Sequence, residues 1–246
     1  MKRNGSQIVC ESLLAEGVDV MFGLPGGAIL PFYQTLPEYP ELKHILVRHE
    51  QGAAMAADGY ARSTGKVGVC VATSGPGATN LVTGLMTAQM DSAPIVAITG
   101  QVPRAMIGKD AFQEADVTGI TLPVTKHNYI VMVTIDVGMT IKKAFYIART
   151  GRPGPVLVDI PKDIQTEEVE YDGYPDHTDL LTYNPESDVD SEAVAQAAEM
   201  INEAEQPIII AGRGVNISRA HRQLLQLAEK AQIAVITTLF GLGSFP

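Results

Sequence analysis

Six short apolar runs, spaced by helical stretches, constrain this chain more than any other feature. They fall near 18–22, 44–48, 67–72, 94–99, 123–128 and 156–159. The spacing between them predicts helices over 6–16, 28–36, 50–64, 78–90 and 136–149, with a short one near 113–117. In 6–16, for example, Ile8, Val9, Leu13 and Leu14 share one face and Gly17 ends the helix. Short apolar strands that alternate with helices pack as a parallel sheet covered on both faces. Each crossover is then right-handed. The expected fold class is α/β, a doubly wound parallel sheet.

A second unit follows. Residues 1–165 read as the first domain, 166–188 as an acidic linker containing Gly173, Pro175 and Pro185, and 189–246 as a second α/β domain. That domain has predicted helices over 190–204 and 218–230 and strands over 207–211 and 233–237. Two strands cannot close a doubly wound core, so either the chain is a fragment or this domain depends on something else to complete it.

The net charge of −10 is local. Between Asp163 and Gly212 there are 14 acidic residues and no Lys or Arg, while elsewhere 18 basic residues face 14 acids. This is a solvated acidic segment, not the basic footprint of a nucleic-acid binder. The longest apolar run, 93–99, is too short to cross a bilayer. Lys2 and Arg3 are followed by polar residues, so no signal peptide is expected. Cys10 and Cys70 form no Cys-x-x-Cys, and no metal-ligand spacing occurs. A reduced, cytoplasmic protein is expected.

Several stretches carry candidate chemistry. The run Ile45–Val47 ends in Arg48, His49 and Glu50, and a helix of small residues follows. This reads as a buried strand delivering Glu50 to the first turn of a tightly packed helix. Two readings stand. Glu50 is either a helix-start acid favoured by the helix dipole, or an acid whose burial among alanines and glycines suits it to hold a proton for cofactor chemistry. Glycine-rich turns at 23–27 and 73–77 each follow a strand. The second lies where parallel sheets bind ligands and can aim backbone N–H groups at an anion. It matches neither G-x-G-x-x-G nor a P-loop, and a plain tight turn is the alternative. In the long loop 100–114, Gln113 can bond a ring edge, while Met106 and Phe112 can line an apolar pocket. A simple surface loop is the alternative there. Gly212-Arg213-Gly214 looks like half of a dinucleotide site, but no acid follows about 20 residues on, so the NAD reading fails. The five histidines show no ligand spacing, and no G-x-S-x-G is present.

Taken together, the chain resembles the large catalytic subunit of acetohydroxyacid (acetolactate) synthase, a thiamine-diphosphate-dependent enzyme family. The segments that carry the resemblance are FGLPGGA (22–28), RHEQG (48–52), ADGYARSTG (57–65), SGPGATNL (74–81), GQVP (100–103), IGKDAFQE (107–114), TKHNY (125–129), GRPGPVLVDIPKD (151–163) and TLFGLGSFP (238–246). RHEQG and SGPGATN are shared with other thiamine-diphosphate enzymes, whereas IGKDAFQE and TKHNY point more narrowly.

The resemblance implies that the first domain binds the cofactor's pyrimidine. Glu50 is implied as the catalytic acid that bonds a ring nitrogen and activates the cofactor. Pro76, Asn80 and Gln113 are implied to line the thiamine diphosphate pocket. Gly26, Ala28, Pro103, Lys109, Ala111 and Phe112 fall near the substrate channel. The second domain looks like the start of an FAD-binding domain, with Ser92, Arg152, Gly212, Arg213, Gly214, Thr238, Leu239, Phe240 and Gly241 at positions that touch FAD. In this family the flavin is structural. The implied reaction joins decarboxylated pyruvate to a second 2-oxo acid, giving 2-acetolactate or 2-aceto-2-hydroxybutyrate in branched-chain amino-acid biosynthesis. A homodimer or tetramer with active sites between subunits and a small regulatory subunit are the implied partners, with no nucleic acid and no membrane.

One departure limits this. The family's pyrophosphate-binding domain, whose Gly-Asp-Gly and Asn hold Mg²⁺, has no counterpart here. The chain alone is therefore expected to be inactive. Another thiamine-diphosphate decarboxylase, oxidase or carboligase, or a non-catalytic truncated paralogue, are the alternatives.

Overall fold

The computed structural model describes residues 1–178, 180–185 and 189–246. It divides into two compact units, Met1–Glu186 and Ser187–Pro246. Asp179 and the end of the expected linker, 186–188, lie outside the described residues.

The first unit runs β1 (Lys2–Asn4), α1 (Gly5–Ala15), β2 (Val20–Gly23), α2 (Leu30–Thr35), β3 (Lys43–Leu46), α3 (Glu50–Thr64), β4 (Gly68–Ala72), α4 (Pro76–Thr79) and α5 (Val82–Met90). It continues through β5 (Ile95–Gln101), α6 (Val117–Thr121), β6 (His127–Ile130), α7 (Val137–Arg149), β7 (Pro155–Pro161), α8 (Lys162–Thr166) and β8 (Glu168–Glu170). Six strands form a parallel sheet in the order β3-β2-β4-β5-β7-β6. The α/β expectation is met. The chain leaves β2 toward β3 and then jumps back past β2 to β4, so a topological switch point lies between β2 and β4. Ligands bind outside the carboxyl ends of strands at such a point.

Both sheet faces are covered. One carries Ile8, Leu13, Ile141 and Phe145 from α1 and α7. The other carries Ala53, Ala54, Ala57, Leu81 and Leu85 from α3, α5 and the link before α5. Alanine and glycine set the second face's spacing. A Cβ on Gly68 would lie 2.1 Å from the Ala57 carbonyl oxygen, and one on Gly84 would lie 2.4 Å from Ala54 Cβ. The small-residue helix after Glu50 is thus pressed against both β4 and α5.

Several expectations change, among them the strand near 123–128, which starts only at His127 after a 3-10 turn at Leu122–Val124. The strand before Glu50 was expected to be buried; β3 is the sheet edge, with Ile45 48% and Leu46 65% exposed. The short helix predicted near 113–117 is α6, which starts at Val117, because Gln113 has φ +58° and Glu114 folds back to accept from the Gly108 and Ala111 amides. The helix predicted over 28–36 begins only at Leu30 and gives way to a 3-10 turn at Leu36–Glu38. The expected linker starts later than residue 166: β8 pairs antiparallel with β1, and Tyr171 is buried in the first unit.

The second unit holds α9 (Ser191–Glu203), β9 (Ile208–Ala211), α10 (Arg213–Ser218), α11 (His221–Ala231) and β10 (Ala234–Thr237). Strands β9 and β10 pair in parallel. The helix predicted over 218–230 is α11 and starts only at His221, because Arg219, at φ +56°, closes the separate short helix α10 at Ser218.

Candidate active site

Two glycine-rich turns meet at the switch point of the first unit. One leaves β2 and the other leaves β4. Thr73 joins them: its hydroxyl accepts from the Ala28 amide at 3.1 Å. Gly26 is pressed against the same side chain, since a Cβ there would lie 2.5 Å from Thr73 Cβ. Gly75 has φ +56°, and its missing Cβ would fall 2.5 Å from the Gln113 carbonyl oxygen. Only glycine admits both that conformation and that approach. The turn after β4 therefore touches the turn after β2 on one side and the loop after β5 on the other.

Glu50 opens α3. His49 caps the helix, its Nδ1 accepting from the Gln51 amide at 3.2 Å. The Glu50 side chain turns inward, and the residue is only 6% exposed. Its Oε2 accepts from Asn80 Nδ2 at 2.9 Å. Its Oε1 lies beside Gly77, where a Cβ would come within 3.3 Å. Asn80 follows α4 at its carboxyl end, and Pro76 begins that helix at the exposed mouth of the turn. Glu50, Gly77 and Asn80 thus form one buried corner with a bare glycine floor.

A cleft of about 260 Å³ opens on the other flank of the same turn. Ser74, Ala28, Pro103, Ala111, Phe112 and Gln113 line it, together with Lys162. Six of the residues singled out in the sequence are brought together here: Ala28, Pro103, Met106, Ala111, Phe112 and Gln113. Phe112 stands at the rim, 87% exposed. Lys109 is exposed in the turn 106–109 and does not line the cleft. Gly26 lies behind the wall, against Thr73.

Lys162 is the residue that sequence reading missed. It is the first residue of α8, directly after the carboxyl end of β7. A cation at the carboxyl end of a parallel strand was the available signal. Lys162 is the one charged residue in a lining that is otherwise apolar but for Ser74 and Gln113, which suits a small carboxylate.

The residues singled out for FAD fall into separate groups. In the first unit Arg152 Nε donates to Ser92 Oγ at 2.8 Å. In the second unit Gly212 precedes α10, and the Arg213 guanidinium lies over the Phe240 ring at 5.8 Å. Thr238 accepts from the Gly241 amide at 3.2 Å, and a Cβ on Gly241 would lie 2.2 Å from the Ala211 carbonyl oxygen. Nothing lies within 4 Å of a Cβ added at Gly214, and Leu239 is exposed.

Other chemistries find little support among the described residues. No group of three His, Cys, Asp or Glu is placed to hold a metal. Both cysteines are buried, and burial pushes each thiol up to about 12, far from a reactive thiolate. No described helix is long and apolar enough to cross a membrane.

Comparison with known proteins gives this geometry a context. Residues 3–120 match the family described as thiamine pyrophosphate enzyme, N-terminal TPP binding domain. Residues 194–246 match the thiamine pyrophosphate enzyme central domain. The chain is 54% identical over 242 residues to the acetolactate synthase large subunit of Mycobacterium tuberculosis, covering 98% of this chain and 39% of that protein. It is 52% identical over 244 residues to the probable acetolactate synthase large subunit of Methanocaldococcus jannaschii, covering 98% and 41%. The corresponding protein of Corynebacterium glutamicum is 51% identical over 245 residues, covering 100% and 39%. The chain spans about two fifths of the length of these curated relatives.

Proposed function

The chain belongs to the thiamine pyrophosphate enzymes, carrying their N-terminal domain and central-domain sequence in order, and from that premise we propose that it supplies the pyrimidine-binding half of an acetolactate synthase active site. The observation that carries this reading is the buried corner at Glu50. Asn80 holds one carboxyl oxygen, and the other stands over Gly77. That arrangement fits an aminopyrimidine: a flat ring can lie against a glycine, and a fixed carboxyl can bond one ring nitrogen. When bound, thiamine diphosphate supplies the nucleophilic carbon that lets pyruvate lose CO₂ and join a second 2-oxo acid, giving 2-acetolactate or 2-aceto-2-hydroxybutyrate.

The chain's own residues do the following. Glu50 holds and exchanges a proton at the ring nitrogen, as general acid–base groups do within hydrogen-bond reach. Asn80 fixes the rotamer of Glu50. Pro76 and Gln113 shape the cofactor's surroundings. Ala28, Pro103, Ala111 and Phe112 keep the approach apolar and exclude water, and Lys162 attracts the carboxylate of the 2-oxo acid.

FAD is the proposed second cofactor, held in the second unit by Gly212–Gly214 and Thr238–Gly241. There the close approach of Gly241 to Ala211 makes a bare backbone floor after the two strands. Mg²⁺ and the diphosphate are assigned to a segment outside residues 1–246. The proposed setting is a cytoplasmic homo-oligomer with shared active sites, serving branched-chain amino-acid synthesis.

The decisive experiment is Glu50→Gln in the complete protein that contains this segment, assayed for acetolactate formation. The expected loss is at least about 100-fold, in line with general acid–base contributions. Near-normal turnover would refute the assignment of Glu50.

A further inference from the structure

The wall of the cleft that carries Pro103, Ala111, Phe112 and Gln113 is a long connection. It runs from Val102 to Asp116, with one short 3-10 turn at Arg104–Met106 as its regular structure. A segment of this length needs fixed points to present side chains reproducibly. One side chain ties both of its ends. Gln101, the last residue of β5, is 3% exposed. Its Oε1 accepts from the Val102 amide at 2.9 Å. Its Nε2 donates to the Ala115 carbonyl at 3.0 Å and to Asp159 Oδ2 at 2.9 Å.

The orientation of this amide is determined by its partners. A flipped amide would place oxygen against a carboxylate and a carbonyl, and nitrogen against an N–H. Asp159 therefore holds Gln101 in the one orientation that closes the base of the loop. Asp159 itself is fully buried in the middle of β7, and its other oxygen accepts from Thr99 Oγ1 at 2.6 Å. The two donors bond opposite oxygens of one carboxyl, and only Gln101 reaches the loop. Further out, Arg104 bonds Asp163 at 2.7 Å and the Gly75 backbone backs Gln113. Those contacts brace one limb of the loop each, Arg104 near its start and Gln113 near its end, whereas Gln101 joins the two ends to each other.

We propose that Gln101, oriented by Asp159, is a positioning residue that clasps the base of the 102–116 loop and so sets the shape of the cleft that admits the 2-oxo acid. This deepens the acetolactate synthase reading and rests on it for the identity of the ligand, but not for the mechanics of the loop.

The test pairs two readouts. Hydrogen exchange of the peptides covering 102–116 is measured on the 246-residue chain without cofactor or substrate. KM and kcat for pyruvate are measured on the complete protein. Gln101→Met keeps the volume and removes all three hydrogen bonds. It is expected to speed exchange of the loop about tenfold, the effect of losing roughly one closing interaction. It is also expected to raise KM about tenfold while kcat stays within about threefold, the pattern of lost ground-state positioning. Thr99→Val touches the same carboxyl but not the loop. It is expected to lower thermal stability and leave loop exchange and KM within about twofold of wild type.

Asp159→Asn is the second variant, should Gln101→Met fold poorly. Its side chain offers one acceptor where the carboxylate offers two, so its loop exchange should lie between those of wild type and Gln101→Met. Wild-type loop exchange in Gln101→Met or Asp159→Asn would overturn the proposal, as would equal loosening in Thr99→Val. An inactive complete protein whose loop still responds as expected would sink the enzymatic reading and leave the clasp standing.

Discussion

Strands β4 and β5 of the first unit and strands β9 and β10 of the second are all built mainly of Val, Ile and Ala. Both pairs are parallel. Their fates differ. Every residue of β4 and β5 is buried, whereas within their own unit Ile208, Ile210 and Ile236 are 57%, 65% and 50% exposed. The strands are not what differs. In the first unit helices lie on both faces of the sheet, while in the second the buried apolar residues among those described are Ala211, Ala228 and Ile233. An apolar strand is a demand for cover, and burial energy is gained only where helices meet it.

The largest test of that contrast is truncation of one side chain in each unit. Leu85 is fully buried against the alanine face of α3. Leu85→Ala should cost about 3–4 kcal/mol, the usual result of leaving a cavity in a close-packed core. Ile210→Ala should cost less than about 1 kcal/mol, as exposed positions do. The two units can be followed separately. All eight tyrosines precede residue 187 and there is no tryptophan, so tyrosine fluorescence in urea reports the first unit. Hydrogen exchange in peptides after 190 reports the second. Equal costs for the two variants would break the comparison.

Burial in the first unit extends to an ionisable group, which gives a pH test. Asp159 is pushed up to about 6, first by burial and then by Asp116, against the opposing pull of Thr99 and Gln101. Its ordinary value is 3.8. Between these values the folded state holds a proton that the unfolded state has released. Stability from this group is therefore fully present below pH 3.8 and is lost as pH rises through about 6. The contribution is up to about 3 kcal/mol, taking 1.36 kcal/mol per unit. Asp159→Asn lacks the titration. Relative to the variant, the wild type should gain stability as pH falls from 7 toward 4.5, read as urea midpoints by tyrosine fluorescence. A wild-type-to-variant difference that does not change over that range would remove the buried-acid argument.

What was legible in the sequence is what short-range pattern controls. The apolar runs and helix periods gave a parallel sheet, and the small residues after Glu50 announced a helix that must pack closely. What was not legible is set by distant partners. Ile45 and Leu46 are apolar yet exposed, because β3 is the sheet edge, and a strand's place in the order is not written in its own residues. Lys2–Asn4 and Glu168–Glu170 form a ribbon despite their charges, because each satisfies the other's backbone from the far end of the domain. At the site, Glu50, Asn80 and Gln113 were found as isolated candidates. Their arrangement follows from Thr73, Gly75 and Gly77, which contribute contact distances and no chemistry of their own. Lys162 was passed over because its role depends on which strand precedes it, β7 being interior to the sheet though last of the six in sequence.

The smallest effect separates two helical glycines. Gly84 in α5 faces Ala54, and a Cβ there would lie at 2.4 Å from that residue's Cβ. No flexible side chain can yield, since the obstacle is an alanine on a packed helix. Gly84→Ala should force α3 and α5 apart and cost about 1–3 kcal/mol, the range for overpacking a core. Gly214 in α10 meets nothing within 4 Å. Gly214→Ala should instead be neutral or stabilise by up to about 1 kcal/mol, because alanine fixes helical backbone at lower entropic cost. Opposite signs for the same substitution would locate the difference between the units in packing, since helix propensity favours alanine at both positions. If Gly84→Ala were also stabilising, as measured by urea unfolding of the first unit, α3 would have room to move. The close seating of the helix that presents Glu50 would then no longer explain why that acid is buried.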